Sequence, residues 1–271
     1  MSQNTLPIGV FDSGVGGLTV LKALQESLAN ESFIYLGDTA RLPYGTKSPE
    51  TVIRYATKAA DLLCEQGIKM LVVACNTASA FALGALQQHL KPLPVIGVVE
   101  PGAKAICKQS PSGHIAVIAT ESTVRHGAYE AAIRAIRPDA TVVSQSCSMF
   151  VALAEEGWLE GPIPEAIAAK YLESLFAKDT TQRPDSLMLG CTHFPALNNT
   201  IRNVVGDSIH IVDSAHAVAE ATAEILDQTR LATQESSPTT RLLTTDSPAR
   251  FAKVSGSFLG IAIDESDVQL V

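Results

Sequence analysis

The sequence contains the same pattern of strand, polar turn and helix twice, and this repeat limits the possible folds most. The first copy starts with the apolar strand Ile8–Phe11 and reaches Cys-Asn-Thr at 75–77, directly after another apolar strand. The second copy starts with Ile115–Ala119 and reaches Cys-Thr-His at 191–193, again after an apolar strand. Strands that alternate with helical segments are typical of α/β proteins with parallel sheets. Two similar, doubly wound α/β units are therefore predicted.

Hydrophobic periodicity places the elements of each unit along the chain. The predicted strands are Ile8–Phe11, Phe33–Leu36, Met70–Ala74, Val95–Val98, Ile115–Ala119, Thr141–Ser144, Leu187–Gly190, Ile209–Val212 and Leu242–Thr244. The predicted helices are Leu18–Leu28, Pro49–Gln66, Ala78–His89, Val124–Ile136, Pro164–Ala177 and Ala215–Gln228.

Each copy of the pattern places a cysteine at the carboxyl end of a strand. Ligands of open α/β sheets bind at these ends. If the two units face one another, Cys75 and Cys191 flank one ligand from opposite sides. Two unrelated α/β halves would also share a strand order, so the matched cysteine turns are the stronger argument for a repeat.

Composition excludes several functional classes. The 271 residues carry 20 Lys and Arg against 28 Asp and Glu, a net charge of -8, which disfavours nucleic-acid binding. With 46% hydrophobic residues the chain can bury a core, but no apolar run is long enough for a membrane span. Five cysteines without a C-x-x-C pair argue against a disulfide framework and a simple zinc site. No secretory leader is visible, so a cytoplasmic protein without metal is expected.

Cys75 lies between an apolar strand and an Ala-rich helix start, with Asn76 or Thr77 as the predicted N-cap. A helix N-terminus stabilises a thiolate or a bound carboxylate. The alternative is a small buried hydrophobic residue, which is the interpretation for Cys64, Cys107 and Cys147.

Cys191 has His193 two residues away, a spacing that suits tuning of the thiol, relay of a proton or orientation of a substrate. A satisfied structural histidine is the alternative. Two ligands without a further cluster do not make a zinc site.

The turn 12–17, Asp-Ser-Gly-Val-Gly-Gly, resembles a phosphate loop but lacks its requirements. Thr19 replaces the third glycine of the dinucleotide fingerprint, and Asp12 would repel a phosphate. The turn is better interpreted as holding a small ligand through Ser13 and backbone amides, with Asp12 handling a proton or a ligand ammonium. The alternative is that the glycines serve turn conformation alone.

Two chemistries fit a pair of thiols across one small-molecule site. One thiol could attack a carbonyl with His193 as the base. Alternatively, one thiolate removes a proton while the opposite thiol supplies another. Carbonyl attack would leave one of the two cysteines unexplained, so proton transfer between two thiols is favoured.

Five segments closely resemble the glutamate racemases, within the cofactor-independent aspartate/glutamate racemase superfamily. These segments are Ile8–Val20, Tyr35–Gly45, Ala74–Ala80, Val95–Gly102 and Leu189–Pro195. The resemblance implies interconversion of L- and D-glutamate without a cofactor, which supplies D-glutamate for peptidoglycan. It also implies a homodimer and two domains facing across a cleft, residues 1–98 with 210–271 and residues 99–209.

The resemblance further implies roles for individual residues. Cys75 takes the α-proton of the D isomer with help from Asp12, and Cys191 takes that of the L isomer with help from His193. From the residues alone, Glu155 is predicted to lie at a solvated helix end. The resemblance instead matches it to a carboxylate of the family near the second thiol. The implied substrate contacts are Asp12, Ser13, Tyr44, Gly45, Asn76, Thr77, Thr123, Thr192 and His193.

Two other functions stay open at this point. A non-catalytic amino-acid sensor would bind glutamate without changing it, although binding alone needs neither cysteine. A cysteine hydrolase, or a hydantoin or maleate enzyme of the same superfamily, would give other products.

Overall fold

The structure, a computed structural model, describes residues 3–176, 183–234 and 237–271. The described strands are β1 (Ile8–Asp12), β2 (Phe33–Gly37), β3 (Met70–Val73), β4 (Val95–Gly97), β5 (His114–Ala119), β6 (Thr141–Ser146), β7 (Ser186–Gly190), β8 (His210–Val212), β9 (Thr240–Thr244) and β10 (Val268–Leu270). The described helices are α1 (Leu18–Ser27), α2 (Pro49–Glu65), α3 (Asn76–His89), α4 (Val99–Gln109), α5 (Glu121–His126), α6 (Ala128–Ile136), α7 (Met149–Glu156), α8 (Pro162–Phe176), α9 (Asn198–Val205), α10 (Ala215–Thr229) and α11 (Pro248–Leu259).

The strands form two sheets, and every described pairing is parallel. The first sheet has the order β10-β9-β2-β1-β3-β4 and the second has the order β6-β5-β7-β8. The run β2-β1-β3-β4 matches the whole second sheet strand for strand. The predicted repeat of two α/β units with parallel sheets is therefore confirmed.

Helices cover both faces of each sheet, which is why the strands read as short apolar runs without alternation. On the first sheet, one core joins α1, α10 and α11, and a second core joins α2 and α3. On the second sheet, α7, α8 and α9 share one core, while α4 and α6 share the other. We call the first sheet with α1–α3, α10 and α11 the first unit, and the second sheet with α4–α9 the second unit.

Several predicted boundaries are wrong for identifiable reasons. The predicted helix Val124–Ile136 is two helices, α5 and α6, because Gly127 adopts a left-handed φ of 71° between them. Helix α7 was missed because its apolar run shows no helical period, and α4, α9, α11 and β10 were missed as well. The predicted end of α8 at Ala177 lies outside the described residues.

The division into domains stays a prediction, but one of its boundaries needs correction. Strand β8 pairs with β7, with Leu187 opposite Ile211. It therefore belongs to the second sheet, whereas the predicted boundary at 209/210 assigned it to the first domain. The change of sheet therefore falls after Val212. The strand Ile209–Val212 was predicted from its apolar run, but such a run does not say which sheet the strand joins. None of the described helices is long and apolar enough to cross a membrane.

The strand order decides where a ligand can bind. In each sheet the order reverses beside the first strand of the unit, between β1 and β3 and between β5 and β7. Such switch points leave a crevice at the carboxyl ends of the strands. Asp12 ends β1 and Cys75 follows β3, while Thr120 follows β5 and Cys191 follows β7. The two crevices carry equivalent residues.

Candidate active site

A small cavity of about 30 Å³ lies between the two units. It is lined by Ser13, Pro43, Tyr44, Gly45, Cys75, Asn76, Thr77, Thr120, Val151, Cys191, Thr192 and His193. Both thiols therefore line one cavity, Cys75 from the first unit and Cys191 from the second.

Most of the sequence-predicted site residues line this cavity, and the other three lie directly behind it. Asp12 accepts a long hydrogen bond of 3.5 Å from the Thr192 hydroxyl. Glu155 lies 3.2 Å from His193, and the Thr123 hydroxyl lies 3.1 Å from that of Thr77. Sequence reasoning missed Thr120, Pro43 and Val151 as lining residues. Thr120 could have been found from the sequence, because it is the first residue with a hydroxyl after β5. Val151 could not, because it lies in the missed helix α7.

Cys75 is itself the N-cap of α3, so the prediction of Asn76 or Thr77 as N-cap is wrong. Its Sγ accepts a hydrogen bond from the Ala78 backbone N–H at 3.5 Å, and it donates to Ser13 Oγ at 3.4 Å. The turn after β3 thus aims the thiol at the first turn of the helix and at the polar turn after β1.

Burial and the neighbouring Asp12 raise the pKa of the Cys75 thiol to about 12, although Ser13 and the Ala78 N–H oppose the shift. The helix N-terminus does not offset the loss of hydration. Cys75 is therefore a neutral thiol when the units are closed. This favours deprotonation that is linked to substrate binding.

Cys191 begins a chain of polar groups. Its Sγ lies 3.8 Å from Nδ1 of His193, and Nε2 of His193 lies 3.2 Å from Oε1 of Glu155. Burial lowers the pKa of His193, but its contacts with Cys191 and Glu155 outweigh burial and raise it to about 10. His193 is therefore a cation at neutral pH, with its charge beside the second thiol.

Glu155 is only 12% exposed and is not a solvated helix end. Burial raises the pKa of its carboxyl, but the contacts with His193 and Arg250 outweigh burial and hold it below its ordinary value. Glu155 is thus ionised next to the His193 cation.

Asp12 is fully buried at the end of β1, where its Oδ2 accepts a hydrogen bond from the Gly14 N–H at 3.0 Å. Burial raises the pKa of this carboxyl, against the opposing effect of His193 and of backbone N–H groups. A buried carboxyl of this kind suits proton handling near Cys75.

Gly16 and Gly17 of the turn after β1 serve close approach, and the alternative of turn conformation alone is wrong. None of Gly14, Gly16 and Gly17 has a positive φ. A Cβ on Gly16 would lie 2.6 Å from both His193 Nδ1 and Thr192 Oγ1. The turn of the first unit therefore packs directly against the second cysteine turn.

Hydroxyl groups from both units meet at one side of the cavity. Thr77 lies 3.0 Å from Thr120 and 3.1 Å from Thr123, measured between hydroxyl oxygens, and the last two lie 3.0 Å apart. Asn76 Oδ1 accepts a hydrogen bond from Tyr129, but its buried Nδ2 has no partner among the described residues. This side of the cavity offers donors to an acidic ligand.

Tyr44 and Gly45 also line the cavity. The Tyr44 hydroxyl donates to buried Asp38 Oδ2 at 2.6 Å, so this contact occupies the hydroxyl's only proton. A Cβ on Gly45 would lie 2.4 Å from the Cβ of Thr120, so Gly45 packs directly against the second unit.

Among the residues that the structure describes, no lysine or arginine lines the cavity. Within 3–176, 183–234 and 237–271, no three His, Cys, Asp or Glu side chains are grouped as metal ligands. The expected absence of a metal and of a cofactor stays a prediction. Cys64, Cys107 and Cys147 do not line the cavity, and burial raises the pKa of each.

Residues 8–222 match the family model described as Asp/Glu/Hydantoin racemase. The chain belongs to this family. A glutamate racemase from Geobacter metallireducens is 48% identical over 254 residues, which cover 93% of this chain and 92% of that protein. The resemblance stated from sequence motifs is confirmed.

Solved structures of the family share the fold. The crystal structure of glutamate racemase from Francisella tularensis in complex with D-glutamate has a TM-score of 0.90 at 35% identity, covering 99% of this chain and 98% of that one. Glutamate racemase from Thermus thermophilus, in complex with beta-chloro-D-alanine, has a TM-score of 0.87 at 40% identity, covering 100% and 98%.

Proposed function

We propose that the protein interconverts L- and D-glutamate by proton transfer between two thiols. The observation that carries the proposal is that Cys75 and Cys191 line one cavity from opposite units. Relatives bearing the name glutamate racemase, which match nearly the whole chain, support glutamate as the substrate.

The proposed reaction needs one proton removed and one supplied at the same carbon. In the L to D direction, the Cys191 thiolate takes the α-proton and becomes a thiol. The Cys75 thiol then gives its proton to the opposite face of the carbanion and becomes a thiolate. The reverse direction exchanges the two roles, so the thiols alternate as base and acid.

The electrostatics support this division of roles. The raised pKa of Cys75 makes it a proton donor in the closed site, as the L to D direction requires. The His193 cation lies beside Cys191, where it stabilises a thiolate. The effect of the Asp12 charge on the Cys75 pKa supports a role for Asp12 in accepting the Cys75 proton when the D isomer is the substrate.

Glutamate carries two carboxylates and one ammonium, and the cavity holds complementary groups without using a lysine or arginine. The unpartnered Asn76 Nδ2 and the amides at the start of α3 suit a carboxylate. The hydroxyls of Thr77, Thr120 and Thr123 add donors on the same side. We assign Asp12 to the substrate ammonium as well as to proton handling.

The closed cavity must open for this function. A volume of about 30 Å³ holds about one water molecule, which is far too little for glutamate. Substrate entry therefore requires the two units to separate and close again. Closure excludes water, which strengthens hydrogen bonds to the developing carbanion.

Three finer parts of the proposal rest on the resemblance alone. They are the supply of D-glutamate for peptidoglycan, residence in the cytoplasm and assembly as a homodimer. Sedimentation at micromolar concentration tests the last part, because a homodimer has twice the mass of the 28.6 kDa chain.

Circular dichroism of L-glutamate incubated with the protein tests the reaction. We expect the signal to decay to zero without added cofactor, and the α-proton to exchange for deuterium in deuterium oxide. Cys75→Ser and Cys191→Ser should each lower kcat at least about 100-fold, because a hydroxyl is a much weaker acid than a thiol. Cys107→Ser, outside the cavity, is the matched control.

Each alternative has its own signature in this experiment. Binding of glutamate without change of its optical signal would indicate a sensor. Turnover of aspartate or of a hydantoin in place of glutamate would indicate a different member of the family. Full activity of both serine variants would contradict the two-thiol mechanism.

A further inference from the structure

Helix α11 reaches from the first unit to the His193 side of the site. The ring of Phe258 meets the imidazole of His193 edge to face, with 5.4 Å between centroids and 84° between planes. About two turns nearer the start of the helix, Nη2 of Arg250 lies 3.6 Å from Oε2 of Glu155 and 3.7 Å from Oε1 of Glu156. Two contacts from one helix thus converge on the His193–Glu155 pair.

These contacts join different units. Helix α11 packs in the core that covers the first sheet, with Phe258 among its buried residues. His193 follows β7 and Glu155 lies on α7, so both belong to the second unit. The contacts of Phe258 and Arg250 with the pair therefore form only when the two units are closed.

We propose that Arg250 and Phe258 are positioning residues that set the His193–Glu155 pair for proton transfer at Cys191 when the units close. This inference rests on the proposed function and adds to it two residues and a coupling. Closure around the substrate and orientation of the pair become one event.

The geometry explains why both contacts are needed. Glu155 uses Oε1 for His193 and Oε2 for Arg250, so the two partners together define one orientation of the carboxylate. The Phe258 edge contact limits rotation of the imidazole plane. Rotation of the imidazole would move Nδ1 away from the Cys191 Sγ, 3.8 Å distant.

Charged and titratable groups reach the pair from every side. Asp12 approaches from β1, Cys191 precedes His193 in the chain, Arg250 approaches from α11, and Glu156 adjoins Glu155 on α7. Arg250 is one of the groups that keep the Glu155 pKa below its ordinary value. Loss of Arg250 raises that pKa, so Glu155 loses its charge at a higher pH.

The test compares R250Q with K253Q, which removes the same charge from the same helix at an exposed residue. Because the two enantiomers have equal free energies in water, kcat/KM is the same in both directions for every variant. The informative readouts are kcat and its pH profile. For R250Q we expect kcat to fall about two- to fivefold and the acidic limb to move to higher pH. R250K should restore most of the activity and the wild-type profile.

The F258L variant tests the contact between the Phe258 ring and His193, because leucine replaces the ring by another apolar side chain. We expect a fall in kcat of about twofold or more at a temperature where circular dichroism shows the variant to be folded. A wild-type kcat in folded F258L overturns the role of Phe258.

The outcomes separate this inference from the proposed function. If R250Q matches K253Q in both kcat and pH profile, the role of Arg250 is wrong while racemisation stands. If the wild-type protein does not interconvert glutamate enantiomers, the proposed function fails and the inference fails with it.

Discussion

The hydroxyl of Tyr129 donates a hydrogen bond of 2.5 Å to Oδ1 of Asn76. Tyr129 lies on α6 of the second unit and Asn76 begins α3 of the first, so the bond crosses the site. It occupies the amide oxygen and leaves the amide nitrogen of Asn76 as a buried donor without a partner among the described residues. The bond thus leaves the amide nitrogen of Asn76 for a substrate oxygen.

Tyr129→Phe should raise KM for glutamate about two- to tenfold, with a smaller effect on kcat. The variant removes one interunit hydrogen bond and frees the Asn76 amide to rotate. Steady-state kinetics by circular dichroism measure the change. Tyr171→Phe is the control and should match the wild type. It removes a hydroxyl that accepts a hydrogen bond from the Met149 N–H. An unchanged KM for the Tyr129 variant would refute this role.

Gly45→Ala should lower kcat/KM about tenfold or more. The new Cβ would lie 2.4 Å from the Cβ of Thr120 in the second unit, so the units could not close fully. Gly84→Ala is the control, because no atom lies within 4 Å of its added Cβ in the interior of α3. We expect the control to keep its activity and to gain about 0.5–1 kcal/mol of unfolding free energy. Equal kinetics in the two variants would show that closure tolerates a side chain at Gly45.

Lys69→Met should lower the unfolding free energy by about 3–5 kcal/mol, measured by urea denaturation. Lys69 and Glu31 lie 2.5 Å apart with side-chain exposures of 0% and 5%, so the variant leaves a buried charge unpaired. Lys69 Nζ also donates to the backbone oxygens of Asn4 and Leu231. Lys104→Met breaks an exposed pair with Glu100 and should cost less than about 1 kcal/mol. Equal costs would contradict the burial argument.

The His193–Glu155 pair makes stability depend on pH. The folded pKa of His193 is about 10 against an ordinary 6.5, so its contribution is complete below pH 6.5 and is lost as pH rises toward 10. The folded pKa of Glu155 lies below 4.5, so its contribution is present above pH 4.5 and is lost in acid. The difference in Tm between wild type and Glu155→Gln should therefore be largest between pH 4.5 and 6.5. A difference independent of pH would contradict the pairing.

Much of the fold was predictable because its signals are local. Strands such as Phe33–Gly37 are short apolar runs, and Ser48 with Pro49 marks the start of α2. Helix α7 was missed because its apolar run lacks a polar face, and the break at Gly127 was missed because a single left-handed residue leaves the periodicity intact. Local patterns carry no information on such tertiary burial.

The candidate site was predictable to a similar degree. The two cysteine turns, Asp12 and Thr77 follow strands, so the topology of parallel sheets alone brings them to one edge. Tyr129, Arg250 and Phe258 follow no such rule, since they lie on helices and not at the carboxyl ends of strands. Their roles depend on which helix packs on which sheet.

The sequence by itself determined that two similar α/β units each carry a cysteine at a strand end, because strand periodicity and turn residues act over a few positions. Only the tertiary structure decided what surrounds each thiol. Cys75 is a neutral thiol beside buried Asp12, and Cys191 has a cationic partner in His193. Loss of hydration and contacts between distant segments set these states, and both exist only once the two units have come together.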